Sequence, residues 1–313
     1  NFLWFFVNFL LYYVVYRGEK LTTCLIFRHL QHDSTLNFVN FSETKGYLIV
    51  FFGNWLYNQS MKPFIDTHTH TIASGHWTTD TVTDLARAAA ERGIKILAVT
   101  DHSPSIPGAA TENYFLNLKY AEKNRFGVRI LYGTEADVLD INGRLGISDV
   151  ALSSLDIIIA SQHPVCFRPK NAEENTAGLT AAVRTGKIDI IGHPDDEKYP
   201  LLAEELVRAC KEFGTAIEMN EASLTPGGYR GNAKARDSEL LKLCAKADVF
   251  VAMGSDTQGA AHVGVFTYAE ELIRETGFPR ELVVNYSADR FLDLPDSHSA
   301  ARGAQSPPII SIL

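Results

Sequence analysis

Cysteines are few in this chain of 313 residues, and no two of its four cysteines form a Cys-x-x-Cys pair. A dense disulfide framework is a feature of small secreted domains, and this sequence is too long and too poor in cysteine for that class. We therefore expect reduced, mostly buried thiols and a cytoplasmic protein. The four residues are Cys24, Cys166, Cys210 and Cys244.

Positive charge is also scarce. The chain has 29 Lys and Arg against 37 Asp and Glu, which gives a formal net charge of -8, and no run of basic residues stands out. Proteins that bind nucleic acids usually carry a basic patch or stripe, so we expect no nucleic-acid partner. Part of the negative charge is available as metal ligands.

No apolar stretch has the length of a transmembrane helix. The most apolar run, FLWFFVNFLLYYVVY from Phe2 to Tyr16, falls short of the ~20 residues that span a bilayer, and Asn8 interrupts it. The basic residues and the small-residue cleavage site of a signal peptide are not clear either. We do not expect a membrane protein, although a membrane anchor and a degenerate leader stay open as interpretations of this run.

The two ends of the chain differ in composition from its middle. Residues 1–60 contain 16 aromatic residues, close to half of the total, and the first methionine is Met61. We interpret residues 1–60 as an atypical extension, and we favour upstream sequence translated in frame ahead of a start at Met61 over an anchor or a leader. Residues 295–313 are rich in Ser, Ala and Pro, which predicts a disordered tail.

Between residues 61 and 294, short β-branched runs alternate with helical stretches. This alternation predicts βαβ units on a parallel sheet, either a barrel or a wound sheet. A chain that is 46% hydrophobic can bury the core of one barrel of roughly 250 residues. One helix is predicted from a cap at Asp80 or Thr81 to Gly93, and another over DSELLKLCAKA. The predicted strands are Phe64–Thr67, Ile96–Thr100, Val128–Gly133, Ile157–Ser161, Ile188–Ile191, Ala216–Met219 and Val249–Met253.

Polar residues follow almost every predicted strand. In FIDTHTHTIASGH, His68 and His70 lie at i and i+2 and therefore project to the same side of an extended chain. In barrels of parallel strands the chemistry lies at the carboxyl ends, where such residues meet. The residues at these ends are Asp66, His68 and His70, then Asp101 and His102, then Glu135, His163, His193 and Asp256. His76 follows the first strand at loop distance.

Each of these residues alone has an ordinary structural explanation. Glu135 could be a surface carboxylate, and Asp256 could cap the next segment. Together they favour a metal centre, because His, Asp and Glu buried at one end of a barrel are costly unless they are paired or bound to metal. Mixed imidazole and carboxylate ligands suit zinc best, with manganese or iron as alternatives.

The ordered motifs DTHTH, TDH, GTEADV, ASQHP, IIGHP, EMNEAS and GSD resemble the PHP (polymerase and histidinol phosphatase) domain family, and within it the YcdX-like phosphatases. The resemblance covers roughly Lys62 to Leu294. It implies a distorted (β/α)7 barrel with a trinuclear metal centre. It also implies a phosphatase that hydrolyses a small phosphomonoester with a metal-bridging hydroxide.

The resemblance also implies a role for each ligand. One ion would be held by His68, His70, Glu135 and Asp256, and Glu135 would bridge it to a second ion held by His163 and His193. A third ion would be held by His76 and His102. Catalysis would depend on Glu135 and Asp256 through the metal-bound hydroxide.

One position departs from the family pattern, which ends in Asp-x-His where this chain reads Asp256-Thr257-Gln258. The third ion would therefore lose an imidazole, and Gln258 offers only a weak amide oxygen in its place. His262 is a second candidate ligand, although a histidine turned to solvent is the more ordinary interpretation. We expect the third metal site to be the weakest.

Four further charged residues are candidates for supporting roles. Arg168 and Arg230 are candidates for phosphate binding, with a solvated surface arginine as the alternative for each. Asp66 and Asp101 are expected to orient ligand histidines and not to bind metal themselves.

Two other functions compete with a phosphatase. Amidohydrolase-type barrels also begin with His-x-His and end with a metal-binding Asp, but they usually bridge their metals with a lysine, whereas the matching strand here offers Glu135. A metal domain that serves a polymerase is disfavoured because no polymerase segment is present. Within the phosphatases, a histidinol-phosphatase-like activity is one alternative.

Overall fold

The computed structural model describes residues 12–16, 22–26 and 62–303 of the chain, which divides into two compact units, Asn1–Trp55 and Leu56–Leu313. In the first unit, the strands Tyr12–Tyr16 and Thr22–Ile26 pair in antiparallel fashion. The rest of the predicted extension lies outside the described residues. Among the helices that the structure describes, none combines the length and apolarity needed to cross a bilayer.

The second unit is built on a parallel sheet in which strands that follow one another along the chain are also neighbours in space. All seven predicted strands are present. A short strand, Asn124–Arg125, pairs in antiparallel fashion with the start of the third sheet strand, Val128–Asp137. The sheet strands are β1 Ile65–Asp66, β2 Ile96–Val99, β3 Val128–Asp137, β4 Ile157–Ser161, β5 Ile190–Ile191, β6 Ala216–Asn220 and β7 Val251–Gly254.

Helices alternate with these strands along the chain. The first helix begins where the sequence predicts, because the Thr81 side chain and Asp84 form a capping box, and it ends at Gly93, whose φ of 82° suits glycine. The helices are α1 Val82–Arg92, α2 Glu112–Asn117, α3 Asp149–Leu152, α4 Ala172–Val183, α5 Ala203–Phe213, α6 Glu221–Leu224, α7 Ala233–Ala247, α8 Thr267–Thr276 and α9 Ala288–Arg302.

The side chains of the strands alternate between two hydrophobic clusters. In β4, Ile157 and Ile159 belong to the inner cluster, whereas Ile158 and Ala160 pack with residues of the surrounding helices. This alternation follows from the two-residue period of a strand. The sheet therefore curves around an apolar interior, as in a βα barrel.

The first and last strands are joined by side chains and not by a regular ladder. The Asn285 Nδ2 donates to the carbonyl oxygens of Ile65 in β1 and Met253 in β7, at 2.9 and 2.7 Å, and its Oδ1 accepts from the Met253 amide at 2.7 Å. Beyond this seam, Thr69–His70 and Thr257–Gln258 pair as short parallel strands. The sheet is thus nearly closed into a barrel, with the seam sealed by Asn285.

The amino-terminal end of the barrel is covered by α9, which brings Phe291 and Leu294 into the inner cluster. The prediction of a disordered tail from residue 295 is wrong for residues 295–302, which are helical even though the helix contains Pro295. The physical reason is tertiary: His298 and Arg302 are buried and both donate to the Asp189 carboxylate. Residues 304–313 lie outside the described part of the chain.

Candidate metal centre

The structure brings the predicted ligands of the first metal site together at the carboxyl end of the barrel. The Nε2 atoms of His68 and His70 are 3.1 Å apart, and the Asp256 Oδ1 lies 3.2 Å from the His70 Nε2 and 3.7 Å from the His68 Nε2. The seam pairing that joins residues 69–70 to residues 257–258 places Asp256 beside the two histidines. This group of three could hold a metal ion, since its ligand atoms all lie within 4.8 Å of one another.

Glu135 lies at the centre of two further groups. One consists of His70, His102 and Glu135, and the other of Glu135, His163 and His193, each with ligand atoms within 4.8 Å. The Glu135 Oε1 is 2.7 Å from the His193 Nε2 and 3.4 Å from the His163 Nε2. Because its two oxygens face different imidazoles, this carboxylate can connect neighbouring metal positions.

Two buried atoms in the centre have no hydrogen-bond partner. The His102 Nδ1 and the Glu135 Oε2 lie 2.7 Å apart, yet their geometry is not that of a hydrogen bond and both are unsatisfied. Unsatisfied buried polar atoms are rare and costly in folded proteins. An imidazole nitrogen and a carboxylate oxygen that converge in this way are the donor set that divalent zinc or manganese takes up, so the residues present fit a metal.

The ligand imidazoles are oriented by acceptors on their other nitrogen. The His68 Nδ1 donates to the Glu218 Oε1 at 2.8 Å, and the His163 Nδ1 donates to the Asp137 Oδ1 at 2.7 Å. In the neutral form of each ring this leaves Nε2 with its lone pair toward the cluster, which is the arrangement that supports metal binding. Burial lowers the pKa of both rings, but the neighbouring carboxylates outweigh it and raise the pKa of His68 and of His163. Glu218 also accepts from the His193 backbone amide at 2.7 Å, so one carboxylate positions two ligand residues.

Asp101 reaches a ligand histidine through a serine. The His70 Nδ1 donates to the Ser74 Oγ at 2.9 Å, and the Ser74 hydroxyl donates to the Asp101 Oδ1 at 2.7 Å. Asp101 also accepts from the Thr71 amide and from the Tyr114 hydroxyl. The orienting role that we predicted for Asp101 is therefore available to it, with Ser74 as the intermediary.

Asp66 lies elsewhere than its predicted role requires. Its carboxylate accepts from the backbone amides of Ser255, Gly264 and His68, and among the described hydrogen bonds it contacts no imidazole. Its contacts hold the polypeptide after β7 against the start of the barrel. Burial raises the pKa of Asp66 to about 6, against these amide hydrogen bonds.

Sequence reasoning missed Glu218, Asp137 and Ser74. Glu218 lies inside a strand and not after it, so a search at the strand exits passes over it, whereas Asp137 is the last residue of β3 and was not singled out beside Glu135. The available signal was a single acidic residue within an apolar strand, which is rare unless it is paired. Asp137 also follows Glu135 by two residues, which places both on one face of β3.

The electrostatics keep the two central carboxylates ionised. Burial alone would raise the pKa of Glu135, but the surrounding histidines outweigh it and hold that pKa well below its usual range. Arg230 and His68 do the same for Asp256. For His70, burial and the neighbouring His102 lower the pKa to about 4, so this imidazole is neutral near pH 7 with its lone pair available.

The residues predicted for the third metal site are only partly assembled. The His76 Nδ1 lies 2.9 Å from the Ser74 carbonyl oxygen, and its ring stacks on that of His102 with centroids 4.9 Å apart. Gln258 pairs with His70 across the seam, and its Oε1 is buried without a hydrogen-bond partner. His262 is exposed and belongs to none of the ligand groups found in the described residues.

The two candidate arginines occupy different environments. Arg168 is exposed on the loop after β4. Arg230 is buried, with its Nη2 donating to the Asp256 Oδ2 at 2.9 Å and its Nη1 donating to the Asn220 Oδ1 and the Ser223 Oγ, both at 3.0 Å. Of the two, Arg230 is the one whose charge is held at the candidate metal centre.

Backbone strain marks the same region. Five residues other than glycine have positive φ in the described structure, and two of them, His193 at 29° and Asp256 at 49°, are candidate ligands. Side chains disfavour this conformation, and such strain is typical of functional sites that the surrounding structure enforces.

A nearly closed parallel barrel with a cluster of His and carboxylate side chains at its carboxyl end defines a class of barrels that can hold metal ions. A family model described as the PHP domain matches residues 66–222. A protein of Acetivibrio thermocellus described as "Probable phosphatase" is 40% identical over 232 residues, which cover 74% of this chain and 94% of that protein. This chain belongs to the PHP domain family.

A second sequence relative has a similar identity to this chain, whereas the solved structures that match it are more distant. A Clostridium botulinum (strain Okra) protein, also described as "Probable phosphatase", is 37% identical over 233 residues, covering 74% of this chain and 94% of the relative. The solved histidinol phosphate phosphatase of Lactococcus lactis, in complex with zinc, L-histidinol and phosphate, superposes with a TM-score of 0.44 at 17% identity. That comparison covers 70% of this chain and 95% of the other.

Proposed function

We propose that this protein is a metal-dependent phosphatase that hydrolyses a small phosphomonoester. The observation that carries the proposal is the position of Glu135, whose carboxylate is shared by two groups of ligands at the mouth of the barrel. The description of relatives at 37–40% identity as "Probable phosphatase" supports the same reaction. The free, mostly buried cysteines Cys210 and Cys244 support a cytoplasmic location, where thiols stay reduced.

The proposed ligands follow the groups that the barrel assembles. His68, His70, Glu135 and Asp256 would hold one ion, and Glu135, His163 and His193 a second. His102 would contribute to a third position, with His76 beside it. When bound, divalent ions supply positive charge for the phosphate oxygens and lower the pKa of water toward neutrality. Zinc suits the mixed imidazole and carboxylate donors best, with manganese or iron as alternatives.

The protein's own groups fix the geometry of this centre. Glu218, Asp137 and Ser74 hold the imidazoles of His68, His163 and His70 in a single orientation, which limits the reorganisation needed during the reaction. Arg230 is proposed to bind phosphate, because its guanidinium is fixed at Asp256 and a planar guanidinium matches phosphate oxygens. Arg168 is exposed and is a weaker candidate.

The test begins with the full chain purified without chelator. Elemental analysis is expected to find at least two divalent ions per chain, and a panel of phosphomonoesters assayed with zinc, manganese or iron is expected to show hydrolysis that a chelator abolishes. His193→Ala removes a ligand and is expected to lower both metal content and activity. His262→Ala changes an exposed histidine outside the ligand groups and serves as the matched control.

A protein that binds fewer than two ions, or one that binds them and hydrolyses none of the phosphomonoesters, would contradict the proposal. Hydrolysis of amide or ester substrates under the same conditions would favour the amidohydrolase alternative.

A further inference from the structure

Two exposed aromatic side chains meet beside the metal centre. Trp77 lies in the loop after β1 and Tyr229 in the loop after α6, and they are 72% and 58% exposed. Their ring centroids are 6.5 Å apart with an interplanar angle of 66°, an edge-to-face arrangement. A single exposed aromatic ring is ordinary on a protein surface. These two rings come from loops far apart in the sequence and contact each other, so it is the fold that creates the pair.

Both rings are connected to the proposed ligands. On one side, the ring centroids of Trp77 and His76 are 4.4 Å apart, and the His76 ring stacks on that of His102. On the other side, the guanidinium carbon of Arg230 lies 4.7 Å from the centre of the Tyr229 ring, and Arg230 also bonds Asp256. The aromatic pair therefore borders the metal centre at two points.

The loop that carries Trp77 is strained and borders an open depression. Trp77 has a φ of 61°, a conformation that is an outlier for so bulky a side chain and that is typical of functional positions. Six residues of this loop line an open depression of about 580 Å³ on the surface: Ile72, Gly75, His76, Trp77, Thr78 and Thr79. An indole that remains exposed beside this depression gains little from packing within its own chain.

We propose that Trp77 and Tyr229 are specificity-determining residues, which bind the leaving group of a phosphomonoester whose alcohol carries a planar aromatic ring. The inference rests on the proposed phosphatase function. With its phosphate at the metal centre, the substrate places its ring against the two side chains. An aromatic pair gains more than the burial of equal apolar area, so a saturated ring of the same size binds less well.

The test compares two phosphomonoesters whose alcohols are similar in size and acidity, 2-phenylethyl phosphate and 2-cyclohexylethyl phosphate. The full chain loaded with divalent metal is expected to show a kcat/KM about fivefold higher for the phenyl ester, in line with the added strength of aromatic pairs. Trp77→Leu and Tyr229→Leu keep apolar bulk but remove the rings, and they are expected to bring this ratio close to one.

Phe126→Leu is the matched control. Phe126 is also an exposed aromatic residue with positive φ, at 53°, but it lies in the turn before β3 at the opposite end of the barrel. This variant is expected to keep the wild-type ratio. A ratio that changes equally in all three variants would overturn the inference.

Binding measured without turnover separates this inference from the phosphatase function. Calorimetry with 3-phenylpropylphosphonate and 3-cyclohexylpropylphosphonate is expected to give Kd values about fivefold apart, and Trp77→Leu is expected to remove the difference. Hydrolysis of both esters with equal kcat/KM, together with equal Kd values, would overturn the aromatic specificity and leave the phosphatase standing. A Kd preference without hydrolysis of any ester would uphold the ring site and refute the phosphatase. Failure of both phosphonates to bind would overturn the ring site.

Discussion

The two ends of the barrel use the same kinds of side chain for opposite purposes. At the carboxyl end, Glu135 lies among histidines, and its Oε2 is buried without a hydrogen-bond partner. At the amino end, Asp189 is equally buried, but its Oδ2 accepts from the Ile158 amide at 2.6 Å and its Oδ1 accepts from both His298 and Arg302.

The difference lies in where the compensating positive charge comes from. The chain itself supplies it to Asp189 through a guanidinium and an imidazole that donates with both of its nitrogens, since the His298 Nε2 bonds the Phe213 carbonyl oxygen at 2.7 Å. Around Glu135 the histidines lower its pKa but also converge as candidate metal ligands, so in the proposed centre bound cations add to the compensating charge. The complete partners of Asp189 thus indicate a structural role, and the unsatisfied Glu135 Oε2 among candidate ligands indicates a functional one.

The largest expected effect is the loss of activity in Glu135→Ala. This change removes the carboxylate shared by two ligand groups and leaves the bound cations without their bridge. We expect kcat/KM to fall by about 10³-fold or more and the metal content to drop by at least one ion, with the fold retained. Steady-state kinetics and elemental analysis check both values. Activity within tenfold of the wild type at full metal content would remove Glu135 from its central role.

At the opposite end of the barrel, Asp189→Asn is expected to cost stability and not catalysis. It leaves the buried Arg302 and His298 without their carboxylate, and breaking a buried ion pair in this way costs about 3–5 kcal/mol of the free energy of unfolding. Urea unfolding measures the loss, and activity well below the transition should stay close to the wild type. The control is Asp296→Asn, which changes an exposed aspartate on α9, the helix that carries His298 and Arg302. A stable but inactive Asp189→Asn protein would contradict the contrast between the two ends.

A smaller effect concerns pH. Burial lowers the pKa of His298, but the hydrogen bond and the charge of Asp189 outweigh it, so the folded pKa lies above the ordinary value, with Arg302 opposing the rise. Because the folded pKa is raised, this stabilisation is complete below the unfolded pKa of about 6.5 and is lost as pH rises through the folded pKa. The difference in unfolding free energy between the wild type and His298→Gln should therefore shrink as pH rises. A difference that grows with pH would reverse the assignment.

The smallest effect is expected at Gln258. Its amide oxygen is buried beside His70 without a partner, and an imidazole in its place binds borderline cations better. Gln258→His should raise the metal content toward three ions per chain and change activity less than Glu135→Ala does. Three tightly held ions in the unmodified protein, with no gain in the variant, would show that the third position is already complete.

Much of this architecture was predictable because its strands are recognisable in the sequence. Each run such as DIIIASQHP couples a buried strand to polar residues at its exit, so both the seven strands and the convergence of residues like His163 and His193 could be inferred. Glu218 could not be assigned, because its partners, His68 and the His193 amide, become neighbours only when the barrel closes. Helix α9 was missed because composition predicts disorder, whereas contacts with Asp189 stabilise the helix.

The seam at Asn285 has a consequence for the order of assembly during synthesis. The bonds that join β1 to β7 connect Asn285 to Ile65, 220 positions apart in the chain. The loop-closure entropy of such a contact is lost before the contact stabilises anything, so we expect the ring to close at the end of folding. His68 and His70 are synthesised early, whereas Asp256 is synthesised only after β7, the last strand of the sheet. The first ligand group in the sequence is therefore the last to be completed: in a nascent chain that stops short of β7, His68 and His70 lack the Asp256 carboxylate with which they form a candidate metal site.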